Sequence, residues 1–518
     1  MIAIATSYSR ENSERLFNRI NWQQYARTAF EKAAKENKPV FLVISAPAWC
    51  HWCHVYESED YLFNNDVCGY INKYFVPVFV DSDKRPDVLK KLEGGWPSTI
   101  MLAPDGEKLV GFSGPCSPRE LLEYCEFVVN AVKNRSFSNF KKPFVERVSC
   151  SVPTKEELNG VEKNFLSYIF NISDKTFGGF HTPSGQKFPT GLIYDFLLDK
   201  YEETKDGQYL KIVDFAFGNQ FTDIKEIKTK YRLFDPVDGG FHRYSTQQDW
   251  SVPHYEKLLC DQATLIRAYA HLFNITHDQK VKNVVDASLK FVFTKLSSSE
   301  GSFYNSQDAG EEERYYGESV RSELAEPFIY KLCRIDANCL MIRTLLYVYD
   351  VEKNAECKAR AEKGLLFIKQ KMLAGNGAFF YFDEGQSFLA GFSLANAHAL
   401  LTFIDAYEIL NNDEYFVIAK NLADFCLQNL SDGAGFFDRK SSEGELYPPD
   451  EENDFEKSYA ENALFAYCFA RLYRLTKDQK YRDVVMKTFS ILLELSPQNL
   501  DDVTYFLKAV KLLQVIIH

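Results

Sequence analysis

A glycine followed closely by an aromatic residue recurs five times along the last two thirds of this 518-residue chain. The turns are Gly178-Gly179-Phe180, Gly239-Gly240-Phe241, Gly301-Ser302-Phe303, Gly377-Ala378-Phe379 and Gly435-Phe436-Phe437. Counted from Gly179, Gly240, Gly301, Gly377 and Gly435, the spacings are 61, 61, 76 and 58 residues. Almost no strand signal lies between them. Helical patterns come in pairs instead: Lys257–Phe273 with Asp278–Lys295, Leu394–Ile409 with Asp413–Leu427, and Glu456–Leu475 with Gln479–Leu493. A helical hairpin cannot bury its apolar face alone, so a tandem series must stack, and a closed ring hides both ends. The 369 residues from position 150 onward hold close to six such units. The pattern predicts an (α/α)6 toroid with the turns on one face, around the mouth of a central funnel. Any one of these turns is no more than a glycine cap and a packing aromatic; their regular recurrence carries the inference.

The first 135 residues read differently. Trp22–Glu36 has an amphipathic stripe of Trp22, Tyr25, Ala26, Phe30 and Ala33, which predicts a helix. Pro39–Ser45 is an almost unbroken apolar run, as expected of a strand buried on both faces. Helical patterns near Cys50–Phe63 and Asp66–Phe75 precede a second run, Val76–Val80. Ser98–Leu102 and Lys108–Phe112 flank the turn signal Asp105-Gly106, and Ser117 with Glu120 forms a capping box for a helix over Pro118–Val132. This is a small α/β domain. The expected division is 1–135 for that domain, 136–154 for a linker rich in Ser, Asn, Lys and Pro, and 155–518 for the toroid.

Chemistry concentrates in Trp49-Cys50-His51-Trp52-Cys53-His54, which follows the buried strand and opens a helical pattern. A helix amino terminus favours thiolate at Cys50, a protonated His51 would favour it further, and the CxxC spacing lets Cys53 resolve a mixed disulfide. Haem attachment would need an exported context and a second axial ligand, and zinc would need a fourth ligand that no nearby CxxC or HxxxH supplies. Two incidental buried cysteines would not explain two tryptophans and two histidines within six residues. Gly94-Gly95-Trp96-Pro97-Ser98 stands some 45 residues downstream, before a strand. In the thioredoxin fold a proline here is cis and lies against the active sulfurs, so Pro97 is expected to position substrate. Trp49, Trp52 and Trp96 would rim the site; they are three of only five tryptophans.

Composition narrows the classes. Sixty Lys and Arg against 72 Asp and Glu leave a net charge of −12, which repels phosphate backbones and argues against a nucleic-acid partner. No run of about 18 apolar residues is present, so a membrane span is not expected. Met1–Arg15 lacks the basic and apolar regions of an export signal, and the 12 scattered cysteines read as buried small hydrophobes of a reducing compartment. A cytoplasmic location follows as the expectation, with no cofactor and no metal.

At this point the chain resembles the spermatogenesis-associated protein 20-like family. The stretches that carry the resemblance are residues 39–55 (PVFLVISAPAWCHWCHV), 80–87 (VDSDKRPD), 94–102 (GGWPSTIML), 185–190 (GQKFPT) and 238–262 (DGGFHRYSTQQDWSVPHYEKLLCDQ). The resemblance implies a thioredoxin-like domain followed by a six-hairpin domain akin to glycosidases and N-acylglucosamine 2-epimerases. It departs in the second half, where a tryptophan-asparagine-glycine signature is replaced by Ala337-Asn338-Cys339, an aspartate-tyrosine pair by Asn396-Ala397, and a proline-serine-glycine-asparagine run is missing around Glu456–Asn462.

The block 238–262 supplies the candidate toroid pocket: His242, Arg243, Tyr244, Trp250, His254, Glu256, Lys257 and Asp261. His242 and His254 could act as acid and base, as the epimerase resemblance suggests. Glu256 and Asp261 could flank a glycosidic bond with Trp250 and Tyr244 stacked on the sugar, or the block could be a loop braced by ion pairs. His398, among Ala and Leu, reads as a satisfied core histidine. The expected activity is thiol–disulfide exchange by Cys50, Cys53 and Pro97, ringed by Trp49, His51, Trp52, His54 and Trp96. Its partner would be a disulfide protein or a reductant, and the appended toroid could take a carbohydrate. The alternatives are a sugar-modifying enzyme with a vestigial thiol module, or a non-catalytic scaffold.

Overall fold

The computed structural model describes residues 13–92, 94–134, 153–221, 232–309, 315, 321, 324–375, 377–383, 387–439, 456–497 and 499–514. Most of the expected linker, 136–152, lies outside them. The chain divides into two compact units. One comprises Met1–Val148 with Asp308–Gly310 and Lys440–Phe455; the other comprises Ser149–Gln307, Glu311–Arg439 and Glu456–His518.

The first unit is a five-stranded sheet with helices on both faces. Its elements run α1 (Ser13–Phe17), β1 (Gln23–Gln24), α2 (Arg27–Glu36), β2 (Val40–Ser45), α3 (His51–Tyr56), α4 (Asn65–Tyr74), β3 (Val76–Asp81), α5 (Pro86–Leu92), β4 (Ser98–Leu102), β5 (Lys108–Ser113) and α6 (Pro118–Asn134). The strand order is β1-β3-β2-β4-β5, with β1 and β2 parallel to β3, and β4 antiparallel to β2 and β5. This is a thioredoxin-like fold. The unbroken apolar run of β2 is explained by its two faces. Phe41 and Val43 enter the core with Phe63, Ile71 and Leu121, whereas Val40, Leu42 and Ile44 pack with Phe30, Val88 and Ile100. The Ser117–Glu120 capping box is formed: Ser117 Oγ accepts the Glu120 N–H at 3.4 Å, and the Glu120 carboxylate accepts the Ser117 N–H at 3.3 Å.

Two local readings are corrected. The helix expected from Trp22 begins only at Arg27, because Gln23 and Gln24 pair with Val78 and Phe79. Trp22 and Tyr25, three residues apart, therefore serve opposite faces of the sheet, one in each core. The helix carrying the thiol motif ends at Tyr56, well short of Phe63.

The second unit is an (α/α)6 toroid. Six inner helices, α8 (Gly191–Thr204), α10 (Leu259–Thr276), α12 (Ile335–Glu352), α14 (Ser393–Leu410), α16 (Tyr459–Thr476) and α18 (Leu500–Gln514), pack each against the next, and α18 closes on α8. Outside them, α7 (Lys155–Ile172) lies on α18, α9 (Gly207–Phe221) on α8, α11 (Gln279–Lys295) on α10, α13 (Ala355–Phe367) on α12, α15 (Asp413–Asn429) on α14 and α17 (Gln479–Glu494) on α16. Inner helices are enclosed from both sides. α14 accordingly buries thirteen of its residues and has no polar face to speak of.

Contrary to the expectation of almost no strand, short pairs line the loops ahead of the inner helices. β6 (Tyr244–Ser245) pairs with β7 (Pro253–His254); β8 (Lys257–Leu258), β9 (Ser306–Gln307) and β10 (Ile329–Tyr330) form one small sheet; β11 (Cys333–Arg334), β12 (Phe380–Asp383) and β13 (Ser387–Ala390) form another. The glycine-aromatic turns all fall ahead of an inner helix, and four are clamped by an amide from it. Gln262 accepts from the Phe241 N–H at 2.8 Å and donates to its carbonyl at 2.6 Å. Asn338 does the same for Phe303 and Asn462 for Phe436, while Asn396 accepts from the Phe379 N–H at 2.9 Å. Gly239 and Gly240 sit at φ 81° and 78°, and a Cβ on Gly239 would meet the Ala287 carbonyl oxygen at 2.3 Å, so only glycine fits.

Candidate functional site

The thiol site is assembled by three loops at one end of the sheet. β2 ends at Ser45, and Cys50 is the N-cap of α3, with its Sγ accepting the Cys53 N–H at 3.3 Å. The Cys53 Sγ in turn accepts the Ala46 N–H at 3.4 Å. Cys50 is 2% exposed and Cys53 fully enclosed. Burial, and then the neighbouring Cys50, push the Cys53 thiol well above its ordinary range. Cys53 therefore stays protonated until something takes its proton.

The Trp96–Pro97 bond is cis, immediately ahead of β4. Trp96 and Trp49 meet edge to face at 5.8 Å. Each indole is anchored by the loop after β3: Trp49 Nε1 donates to Asp83 at 2.6 Å and Trp96 Nε1 to the Ser82 hydroxyl at 2.8 Å. Arg85 in the same loop reaches Asp87 at 2.9 Å and the Tyr25 carbonyl at 3.0 Å, which fixes the start of α5. Trp52 is 44% exposed and meets the half-buried His51 edge-on at 5.1 Å, whereas His54 is buried with Nε2 2.7 Å from the Pro47 carbonyl oxygen. Sequence reasoning missed Ser82 and Asp83, although the stretch 80–87 stood out. It also missed Glu57, a buried carboxylate one turn after Cys53 that accepts from the Ser45 hydroxyl.

In the toroid block, the structure separates the expected pocket residues into two groups. Lys257 is wholly buried, donating to Asp235 and to the Gly239 carbonyl, each at 2.7 Å; Arg321 meets Asp235 and Asp238, each at 2.7 Å. Lys257 is thus a brace for the turn and not a pocket residue. Trp250 is also fully enclosed, donating through Nε1 to the Phe177 carbonyl at 2.9 Å, so it has no face left for a sugar ring. His242 is 2% exposed with Nδ1 3.0 Å from the Tyr255 carbonyl oxygen, and burial together with the Lys257 charge lowers it to about 3.

The other group is more open. Phe188, 39% exposed, stacks on Tyr244 at 4.9 Å, and Tyr244 stacks on His254 at 4.5 Å. Arg243 lies over the Tyr244 ring at 5.4 Å, and His254 Nδ1 is 3.8 Å from the buried Glu256. Burial raises Asp261 to about 6, against the pull of Arg243. Phe188, which sequence reasoning passed over, is the exposed aromatic of this stack. His398 is corrected too: it is buried and held down to about 4 by burial, but its Nδ1 has no hydrogen-bond partner among the described residues.

Comparison with known proteins matches both halves. Residues 3–135 fit the Thioredox_DsbH family model, described as a protein of unknown function, DUF255. Spermatogenesis-associated protein 20 of Rattus norvegicus is 31% identical over 327 residues, 56% of this chain and 39% of that protein. The chain is similar to spermatogenesis-associated protein 20. The Homo sapiens protein of that name is 30% identical over 57% of the chain and 39% of its own length, and the uncharacterized protein B0495.5 of Caenorhabditis elegans is 32% identical over 56% and 42%. The match thus spans about two fifths of the length of these relatives. Among solved structures, cellobiose 2-epimerase from Spirochaeta thermophila covers 71% of this chain and all of its own, at TM-score 0.55 and 12% identity. A D-mannose isomerase covers 70% at TM-score 0.53 and 13% identity. These likenesses establish the toroid fold.

Proposed function

We propose that the thioredoxin-like domain carries out thiol–disulfide exchange. The Cys50 thiolate attacks one sulfur of a substrate disulfide; that S–S bond breaks and the first substrate thiolate leaves. Cys53 then gives up its proton and attacks the Cys50 sulfur, so the mixed disulfide breaks, the second substrate thiol is released and Cys50–Cys53 is the oxidised product. Two electrons pass to the substrate, and an external thiol reductant restores the pair. The reading rests on one observation: the Cys50 sulfur accepts the Cys53 N–H within a single helical turn, so both sulfurs lie at the start of one helix. The partner class is a protein disulfide or a thiol reductant, in a reducing compartment such as the cytoplasm.

The test is redox titration. Across glutathione buffers of graded poise, the peptide bearing Cys50 and Cys53 should convert from dithiol to disulfide in one two-electron step, read by mass spectrometry. Reduced protein should in turn reduce insulin disulfides. A peptide that stays dithiol at every poise, while half-exposed Cys260 becomes glutathionylated, ends this reading.

For the toroid, carbohydrate binding is supported by the Phe188–Tyr244–His254 stack, whose outer ring, Phe188, is exposed. The neighbours named for epimerase and isomerase activity lend the analogy but share only the fold. Thermal shift with cellobiose, mannose and glucose should show a saturable rise in melting temperature that Phe188→Ala reduces. Equal shifts in both proteins would exclude the stack as the binding platform.

A further inference from the structure

The toroid holds a cavity of about 280 Å³ lined by all six inner helices. Five cations line it: Arg267 on α10, Arg343 on α12, Arg471 and Arg474 on α16, and Lys508 on α18. Only two carboxylates share the lining, Asp195 on α8 and Asp405 on α14. None of the residues expected to form the toroid pocket contributes to it.

The ion pairing inside is crowded and incomplete. Asp195 alone receives Arg267 at 3.2 Å, Lys508 at 2.9 Å and His271 at 2.9 Å. Asp405 receives Arg343 at 2.7 Å and Arg471 at 2.9 Å. Arg267 and Arg343 each meet their carboxylate through Nε, not as the two-pronged fork a guanidinium offers. The Nε of Arg471, a residue only 9% exposed, has no acceptor among the described residues. The lining carries three more positive than negative charges. Behind the lining, Asp199 pairs with Lys508, Glu408 with Arg471 and Arg474, and Glu202 with His271. A positive well is kept inside a chain whose net charge is −12.

Two plain explanations fall short. Cations near helix carboxy termini offset the helix dipole, but that effect fades beyond the last turn. It accounts for Arg474, near the end of α16, and not for Arg343 or Arg267, which sit at mid-helix. Ion-pair stabilisation is equally poor as a reason, because burying unmatched guanidinium groups costs more than their pairing returns.

We infer that this well binds a dianionic phosphate group, free or as the head of a small phosphate ester. Guanidinium forks and a lysine suit phosphate oxygens. The volume lies just under the ~300 Å³ at which small-molecule pockets begin, which admits phosphate with a few extra atoms and not a nucleotide. Arg474, with 42% of its side chain exposed, marks the rim of the cavity. This inference is independent of the thiol chemistry and of the Phe188 stack.

Isothermal titration of the full chain at constant ionic strength tests it, with inorganic phosphate and glycerol 2-phosphate as probes, and chloride and glycerol as controls. Phosphate should bind saturably where chloride and glycerol do not. A tighter fit for glycerol 2-phosphate identifies an ester as the ligand; equal affinities identify the free anion. The charge-neutral pair Arg343→Gln with Asp405→Asn should weaken binding by about tenfold or more. Arg474→Gln, at the half-exposed rim, should weaken it by several-fold and serves if the double variant does not fold. Absence of saturable binding, or unchanged affinity in a folded variant, overturns the proposal.

Discussion

Lys187→Met is expected to destabilise the toroid by about 3–5 kcal/mol, because it strips the counter-ion from a buried carboxylate. Lys187 and Asp174 are both almost fully enclosed, and the ammonium donates to Asp174 and to the Gly178 carbonyl, each at 2.7 Å. The other oxygen of Asp174 accepts the N–H groups of Thr176 and Phe177 at 2.7 and 3.0 Å, so one carboxylate shapes the whole turn that ends in Gly178-Gly179-Phe180. Trp250 closes over that turn: a Cβ on Gly179 would lie 2.5 Å from its ring. Methionine fills the volume of lysine but leaves the charge of Asp174 and the Gly178 carbonyl without their donor. Adding Asp174→Asn keeps the turn's acceptor and removes the orphaned charge, so the double variant should recover about half or more of the loss. Hydrogen exchange in peptides from α8 and α10 reads the effect in the toroid itself. A single variant within about 0.5 kcal/mol of the parent would show that Lys187 is not a brace.

The same device explains why two of the stretches that carry the family resemblance contain a lysine. Lys187 sits in GQKFPT and Lys257 in HYEKLL, and each reaches back to the aspartate heading a glycine-aromatic turn, Asp174 and Asp235. A third copy is looser, with Lys457 on Asp432 at 2.7 Å and on the Ala434 carbonyl at 3.1 Å. Lys257 could not be told from a pocket residue in sequence, because its aspartate lies 22 positions away and only the folded turn brings them together. Trp250 was misread for a related reason. An aromatic among polar residues looks like a stacking platform, and its enclosure over Gly179 is a tertiary fact.

The ring itself was legible because its signal is repetitive. Each copy of the turn is weak, but the spacing recurs, and the long 76-residue interval holds the loop with the Ile329–Tyr330 and Cys333–Arg334 strands ahead of α12. A second repeat was readable and unused. Inner helices end on a left-handed residue followed directly by an Asp or Asn: Lys205-Asp206, His277-Asp278, Lys353-Asn354, Asn411-Asn412 and Lys477-Asp478. That dipeptide stops one helix and caps the next, so the hairpin turns themselves were written in the chain. Asn338, Asn396 and Asn462 form a further repeat, since each clamps a turn. By contrast, the cationic lumen left no local trace, since its five cations come from four helices separated by long intervals.

The thiol pair was legible because CxxC spacing puts both sulfurs in one turn wherever a helix starts at the first. Its clearest consequence is an asymmetry between the two cysteines. Cys53→Ser should leave Cys50 able to attack a disulfide and unable to release it, so a stable mixed disulfide accumulates on Cys50 alone. An adjacent thiol acts at an effective concentration far above the millimolar thiol of any buffer, so release should slow by about 100-fold or more. Cys50→Ser should abolish both adduct and turnover, because Cys53 is fully enclosed and its thiol is held well above its ordinary range. Incubating both variants with 5,5′-dithiobis(nitrobenzoate)-labelled peptide and mapping the adduct separates the cases. The competing outcome is labelling governed by exposure only. Cys260, the one described cysteine that is not buried, would then carry the adduct in both variants, and thiol exchange at Cys50 would have to be abandoned.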